Sequence, residues 1–350
     1  MKRIPPLLVA IIIYSILFGG SAIFWHDKFQ ASVITSLVQK DYITLLFTGD
    51  IMLDRGVEFY ITQHNDWKWP FLRIANTLQE ADLVFGNLES VISDKGENLG
   101  SIYSFRADPK ALEGLTFAGF DVLSVANNHS LDYGMDALRN SMNRLKETGI
   151  TPIGAGENKT EAYSPTIVEV KGVKVGFLAY TTQGSPAWEA TETGSGVAWI
   201  DTANLQDISQ QIDLAKRQAD LLIVSVHFGE EYQTQPNETQ KLIAKSAIDA
   251  GANIVIGHHP HVVQLIEPED SSDVRPEDSV PREPERPVER YKDGWIAYSL
   301  GNFVFDQGFS PETMEGILLE VKIEGKQITQ VIPRVIRMND SFQPELLISQ

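Results

Sequence analysis

Apolar runs with strand character recur along the chain, and most of them close on polar residues or glycine. They are "ITLLFTG" from Ile43, "ADLVFGN", "FDVLSVAN", "KVGFLAYT", "DLLIVSVHFG", "NIVIGHH" and "GWIAYSLGNF". Between some of them the apolar period changes to that of a helix. "MDALRNSMNRLKETG" places Leu138, Met142 and Leu145 on one stripe and stops at Gly149. "TQKLIAKSAIDAGA" behaves the same way and stops at Gly251. Strands alternating with amphipathic helices predict an α/β architecture with buried strands. The tail, "GILLEVKIEGKQITQVIPRVIRM", predicts a β-hairpin turning at Glu324-Gly325-Lys326.

Two segments depart from this pattern. Behind Lys2 and Arg3, the run from Ile4 to Trp25 carries no charge. As a helix it would be roughly 33 Å long, near the thickness of a bilayer core. Its length predicts an uncleaved single-pass anchor over residues 1–25. The basic flank would be cytoplasmic, the remainder extracytoplasmic, and residues 26–41 a stalk. The competing reading is a signal peptide cut after the small residues Gly20-Ser21-Ala22. The second segment, at about 268–290, is rich in Pro, Glu, Asp and Arg and almost free of large apolar residues. Such a composition buries too little surface to offset the entropy of ordering it, so a disordered insertion is expected there. The main domain is then 42–340.

Bulk composition narrows the functions. A chain of 350 residues with net charge −18 gives phosphate backbones no basic surface, which argues against nucleic acid as a partner. Any anionic substrate would need a local positive centre such as a metal. The absence of cysteine removes thiolate metal sites, Cys nucleophiles and disulfide scaffolds.

The polar residues fall at strand ends. "TGDIMLD" carries Asp50, "GNLES" carries Asn87 and Glu89, and "ANNHSLDYG" carries Asn127, Asn128, His129 and Asp132. "VHFGEEY" carries His227, "GHHPH" carries His258, His259 and His261, and "SLGNF" carries Asn302. In α/β folds the carboxyl ends of strands converge on one edge, where ligand sites form. If "HHPH" runs extended, His259 and His261 share a face and His258 points away. Imidazoles, carboxylates and amide oxygens suit divalent ions such as Mn, Zn, Fe or Mg, one or two in number.

Taken in order, "GD", "GNxE", "NNH", "HxG" and "GHxPH" resemble the calcineurin-like metallophosphoesterase pattern. More closely, "GDIMLDR", "GNLES", "VANNHSLDYG", "HFGEEY", "GHHPHVVQ" and "YSLGNFVFD" resemble the CapA/PgsA family of poly-γ-glutamate capsule biosynthesis proteins. The resemblance runs from about Thr44 to Asp306. It implies a four-layer α/β/β/α metallophosphoesterase-like sandwich with a metal centre at the strand ends. By position, Asp50 and His261 would serve a first metal, and Asn128, His227 and His259 a second. His129 matches the histidine that assists the leaving group. Asn87, Asn127 and Asn302 would bond to ligands or substrate. The chain departs from the wider pattern twice. Met52 stands where phosphoesterases carry a second ligand of the first metal, and Asn87 stands where they carry a bridging aspartate. The bridge then falls to Glu89 or is missing.

Two functions follow as expectations. One is a metal-dependent hydrolase acting on an ester, phosphoester or amide during capsule synthesis. The other is a non-catalytic subunit of a capsule synthesis and export complex, whose metal cleft binds the polyanionic polymer. The partners implied are the membrane and other capsule synthesis subunits.

Overall fold

The computed structural model describes residues 42–266 and 286–347. The expected anchor and stalk, and residues 268–285 of the expected insertion, lie outside the described residues. Among the described residues no helix is long and apolar enough to cross a membrane.

Two sheets form the body. Their strands, in chain order, are β1 (Ile43–Ile51), β2 (Leu83–Leu88), β3 (Val122–Ser124), β4 (Thr151–Ile153), β5 (Thr166–Val170), β6 (Val173–Thr181) and β7 (Leu221–His227). They continue with β8 (Ile254–His258), β9 (Glu289–Tyr291), β10 (Gly294–Ala297), β11 (Asn302–Val304), β12 (Glu315–Glu324), β13 (Gln327–Met338) and β14 (Pro344–Leu346). The first sheet has the order β14-β13-β12-β1-β2-β3-β4, with β11 beside the end of β1. The second has the order β9-β10-β8-β7-β6-β5. In the first, β1 to β4 run parallel, as do β6, β7, β8 and β10 in the second. Each sheet therefore presents a row of carboxyl ends.

Alternation within the strands sorts side chains into layers. Leu45, Phe47 and Phe85 of the first sheet meet Val175, Phe177, Ile223 and Ile254 of the second in a common core. Phe85 and Phe177 stack across it, with ring centroids 5.9 Å apart. Leu46, Val84 and Leu123 face the other way, onto helices α1 (Arg55–His64) and α2 (Met135–Glu147). Leu222, Val224 and Val255 face helices α3 (Leu205–Lys216) and α4 (Glu238–Asp249). This is a sheet-rich mixed α/β fold, consistent with a metallophosphoesterase-like domain. Helix α4 starts on a capping box between Asn237 and Gln240, which fixes where the chain leaves the strand-end loops.

The tail hairpin forms as expected, with Glu324 opposite Gln327 and Gly325 at φ 60° in the turn. Its first strand lies antiparallel to β1. Two other expectations are corrected. "GWIAYSLGNF" is not one strand. It splits into β10 in the second sheet and β11 in the first, so the chain changes sheets at residues 298–301. The crossing brings backbone against backbone. A Cβ on Gly49 would lie 1.9 Å from Gly301 O, and one on Gly257 would lie 1.9 Å from Tyr298 O. The glycines of "TGD" and "IGH" are there because nothing larger fits. At the far end of the expected insertion, Arg286 bridges to Ile266, and Glu289–Tyr291 form the edge strand β9.

Candidate metal centre

Register sets the site. Asp50 of β1 stands beside Asn87 of β2 on one side and Asn302 of β11 on the other. In the second sheet His227 of β7 stands beside His258 of β8. The two rows face each other. Asp50, Asn87, Glu89, Asn127, His129, His227, His258, His259, His261 and Asn302 are all buried.

Loop chemistry holds the residues after β3. Ser130 Oγ donates to Val125 O (2.6 Å), and His129 N donates to Asn127 Oδ1 (3.1 Å). Asn127 Nδ2 donates to Leu88 O (2.9 Å) and to Asn87 Oδ1 (3.2 Å), tying this loop to the next strand. Asn128 Oδ1 is then 2.7 Å from His227 Nε2. His129 Nδ1 donates to Asp132 Oδ2 at 2.7 Å, so its Nε2 is the nitrogen turned toward Glu89.

Asn87 sits between the carboxylates. Its amide Nδ2 donates to Asp50 Oδ1 (2.8 Å) and reaches Glu89 Oε2 (3.4 Å). It supplies donors where a carboxylate would have brought a third negative charge. Glu89 Oε1 is buried and has no hydrogen-bond partner. Three imidazole nitrogens surround it: His227 Nε2 and His261 Nε2 at 3.7 Å and His129 Nε2 at 3.8 Å. Two donor groups share Glu89. One is Glu89, His259 and His261; the other is Asp50, Glu89 and His227. Within each, the candidate ligand atoms lie within 4.8 Å of one another.

The electrostatics follow from burial. Desolvation pushes the Glu89 carboxyl well above the usual range, and Asp50, Glu231 and Asp132 add to the rise. Desolvation also acts on Asp50, but the imidazoles of His258 and His261 and the Asn87 amide outweigh it, leaving that carboxyl below its ordinary value. Burial and neighbouring imidazoles hold His227 well below the usual histidine range. Burial pushes His259 down to about 3, and lowers His261 against the pull of Asp50 and Glu231. Neutral imidazoles facing an uncompensated carboxylate form a ligand set ready for a cation. The upward shift of Glu89 expresses the cost of keeping that carboxyl charged while buried without a partner. A divalent ion would remove that cost, and a donor set of imidazole, carboxylate and amide oxygen suits Zn, Mn, Fe or Mg. The residues present fit a metal.

Several placements differ from the sequence reading. "HHPH" is not extended. His259 has φ 99° and His261 φ 59°, both in the left-handed region, and the turn through Pro260 tips all three imidazoles inward. His259 and His261 do share a centre, but His258 does not point away: its Nδ1 lies 3.2 Å from Asp50 Oδ1. Met52 stands where the wider pattern carries a metal ligand. It is fully buried in the helix-side core, with its sulfur accepting from Asp54 N at 3.1 Å. Asn302 borders the centre through His261, whose Nδ1 is 3.0 Å from Asn302 Oδ1.

The sequence reading also gave no role to two neighbours. Asp132 orients His129, and the His129-Ser-Leu-Asp132 spacing carried that signal. Arg55, at φ 51°, pairs with Asp306 (Nε to Oδ2, 3.1 Å) and lies 4.7 Å over the Phe105 ring. Phe105 in turn packs 4.0 Å from the His129 ring.

Fold and site together define the class: a mixed α/β protein whose parallel strand ends gather a buried carboxylate–imidazole cluster able to hold metal. The chain belongs to the bacterial capsule synthesis protein family PGA_cap, whose profile matches residues 44–307. It is 32% identical to the capsule biosynthesis protein CapA of Bacillus anthracis, over 95% of this chain and 77% of that one. It is 28% identical to the PGA biosynthesis protein CapA of Bacillus subtilis, over 87% of this chain and 73% of that one. A probable polyglutamine synthesis accessory protein of Mycobacterium tuberculosis is 28% identical, over 76% of this chain and 75% of its own length.

Proposed function

We propose that this protein is a membrane-anchored, extracytoplasmic component of poly-γ-glutamate capsule synthesis with a metal-dependent hydrolase site. Family membership supports the biological role. The apolar run from Ile4 to Trp25 behind Lys2 and Arg3 supports the anchor. The observation that carries the chemistry is Glu89 Oε1, buried, unpartnered and ringed by imidazole nitrogens of His129, His227 and His261.

Glu89 with His259 and His261, and Asp50 with His227 and Asn128, would hold one or two divalent ions, a grouping that differs from the pairing of Asp50 with His261 and of His227 with His259 that the resemblance implies. When bound, such ions polarise an ester, phosphoester or amide oxygen and make water acidic enough to attack near neutral pH. His129, with Nδ1 fixed by Asp132, presents Nε2 as a proton donor to a leaving group. Asn87 holds Asp50 and Glu89 at fixed spacing, and Asn302 fixes the ring of His261.

A specific observation favours a second reading. Met52 is turned into the core and Asn87 brings no charge, so the centre lacks two donors of the wider phosphoesterase pattern. On that reading the protein is an accessory subunit that holds polymer carboxylates at the metal without cleaving them. Metal analysis followed by a substrate panel separates the two. A hydrolase gives one or two bound divalent ions and Mn2+-dependent turnover of a phosphoester, ester or poly-γ-glutamate, lost on chelation. Metal-dependent polymer binding with no turnover supports the accessory reading. Protein that takes up no divalent ion refutes both.

A further inference from the structure

Among the buried polar groups, His258 is the one that the centre described above leaves without a task. It belongs to neither donor group. It is 1% exposed, and neither ring nitrogen has a hydrogen-bond partner. Strand pairing with β7 fixes its backbone opposite His227, and its carbonyl accepts from Phe228 N at 3.0 Å. Its close polar contact in the cluster is with Asp50, whose Oδ1 lies 3.2 Å from His258 Nδ1 but off the line of a hydrogen bond. An imidazole buried this way costs stability in a metal-free chain.

We infer that His258 is a positioning residue for Asp50, holding one carboxylate oxygen so that the other is presented to metal; the inference rests on the metal-centre reading above. The geometry at Asp50 supports it. Oδ1 already accepts from Asn87 Nδ2 (2.8 Å) and faces His258 Nδ1. Oδ2 accepts from His259 N (3.2 Å) and lies 3.5 Å from His261 Nδ1. The two oxygens are thus divided between strand-side donors and the turn that carries the ligands. Met52, the first residue past β1, is committed to the core and offers Asp50 no polar group. His258 brings from β8 an imidazole nitrogen 3.2 Å from Asp50 Oδ1. Partners of this kind, standing behind a ligand, typically change metal affinity about tenfold to a hundredfold when removed.

The role predicts effects of opposite sign on two measurements. His258→Phe replaces the ring with an apolar one of similar shape. In the metal-free protein its melting temperature should equal or exceed that of the wild type, because an unpartnered polar group has gone. Its dissociation constant for Mn2+, measured by titration calorimetry on the purified full chain, should rise about tenfold to a hundredfold. His258→Asn keeps an N–H near the place of Nδ1 and should recover part of that affinity; His258→Gln, whose amide reaches beyond it, should recover less. Wild-type affinity in His258→Phe overturns the inference, as does equal loss in the Phe and Asn variants. If the Phe variant does not fold, Asn must bind Mn2+ at least several-fold more tightly than Gln, or the role is wrong. A wild-type chain that takes up no Mn2+ overturns the metal-centre reading and this inference with it.

Discussion

His259 shows how far burial governs single residues here. Its folded pKa is pushed down to about 3, far below the ordinary histidine value of about 6.5. A histidine kept neutral in the fold contributes stability that is fully present above about pH 6.5 and is lost as pH falls toward 3. His227 and His261 are shifted in the same direction, and the lowered Asp50 carboxyl adds loss at still lower pH. Glu89 is shifted upward, so it works in the opposite sense and offsets only part of the loss. The metal-free protein should therefore melt at lower temperature at pH 5 than at pH 7.5. A single fully shifted histidine contributes up to about 1.4 kcal/mol per pH unit across that window. Scanning calorimetry in the presence of a chelator tests this, and a flat profile from pH 7.5 to 5 would contradict the burial argument. His129 is different because it belongs to neither donor group and Asp132 holds its Nδ1, leaving Nε2 facing Glu89. On the hydrolase reading, His129→Gln should leave metal content unchanged and lower kcat about a hundredfold to ten-thousandfold. Loss of metal in that variant, counted by inductively coupled plasma mass spectrometry, would make His129 a ligand instead. The sequence made Asp50, Glu89, His227 and His261 legible because each follows an apolar strand run. It did not make the aim of His258 legible, because that depends on the left-handed turn at His259 and on Asp50 from more than two hundred residues away.

Elements meet most tightly where the segment after β10 crosses to the first sheet. Gly49→Ala and Gly257→Ala each force a Cβ to within 1.9 Å of a backbone oxygen, which no side-chain rotation relieves. Each should cost about 3 kcal/mol, at the upper end for overpacked sites, and disturb the adjacent ligand residue as well. Gly325→Ala, at φ 60° with open space around it, should cost only about 1 kcal/mol for the left-handed backbone. Urea denaturation of the three variants checks the ranking; equal costs would mean the crossing is not rigid. This region also marks where the reading of elements from sequence stopped. β1, β2, β7 and β8 were visible in their apolar runs, and α2 and α4 in their periodicity. The break at 298–301 was not, since Tyr298, Leu300 and Phe303 are as apolar as a continuous strand would be. What breaks it is close packing against Gly49, Gly257 and Gly316, which lie elsewhere in the chain. The strands Thr151–Ile153 and Thr166–Val170 were missed for a simpler reason: they are short, and the second lies at a sheet edge with exposed residues.

At the level of the whole molecule, the mixed α/β class was readable from the order of elements, whereas layering was implied only by the family resemblance, because an apolar run such as β1, buried on both faces, shows no alternation. The anchor is a statement about the chain in a cell. Cell-associated protein should sediment with membranes, resist extraction at high salt and retain its first 25 residues. N-terminal sequencing that begins near Ile23 would instead mean that the segment is cleaved. The position of β1 has a further consequence, for the order in which the protein can be built. β1 is made among the first strands, yet its partners β11 and β12 are made almost last, so their contacts span more than 250 residues of chain. Closing so long a loop is entropically slow, and folds dominated by such contacts fold slowly. Until residues 302–324 arrive, Leu45 and Phe47 belong to a strand with one edge unpaired, and Asp50 has no Asn302 beside it. A chain stopped at residue 300 would contain every residue of both donor groups and still lack the strands that flank β1. Metal uptake is then expected to wait on completion of the chain, and a chain truncated at residue 300 should bind Mn2+ more weakly than the full chain in a calorimetric titration.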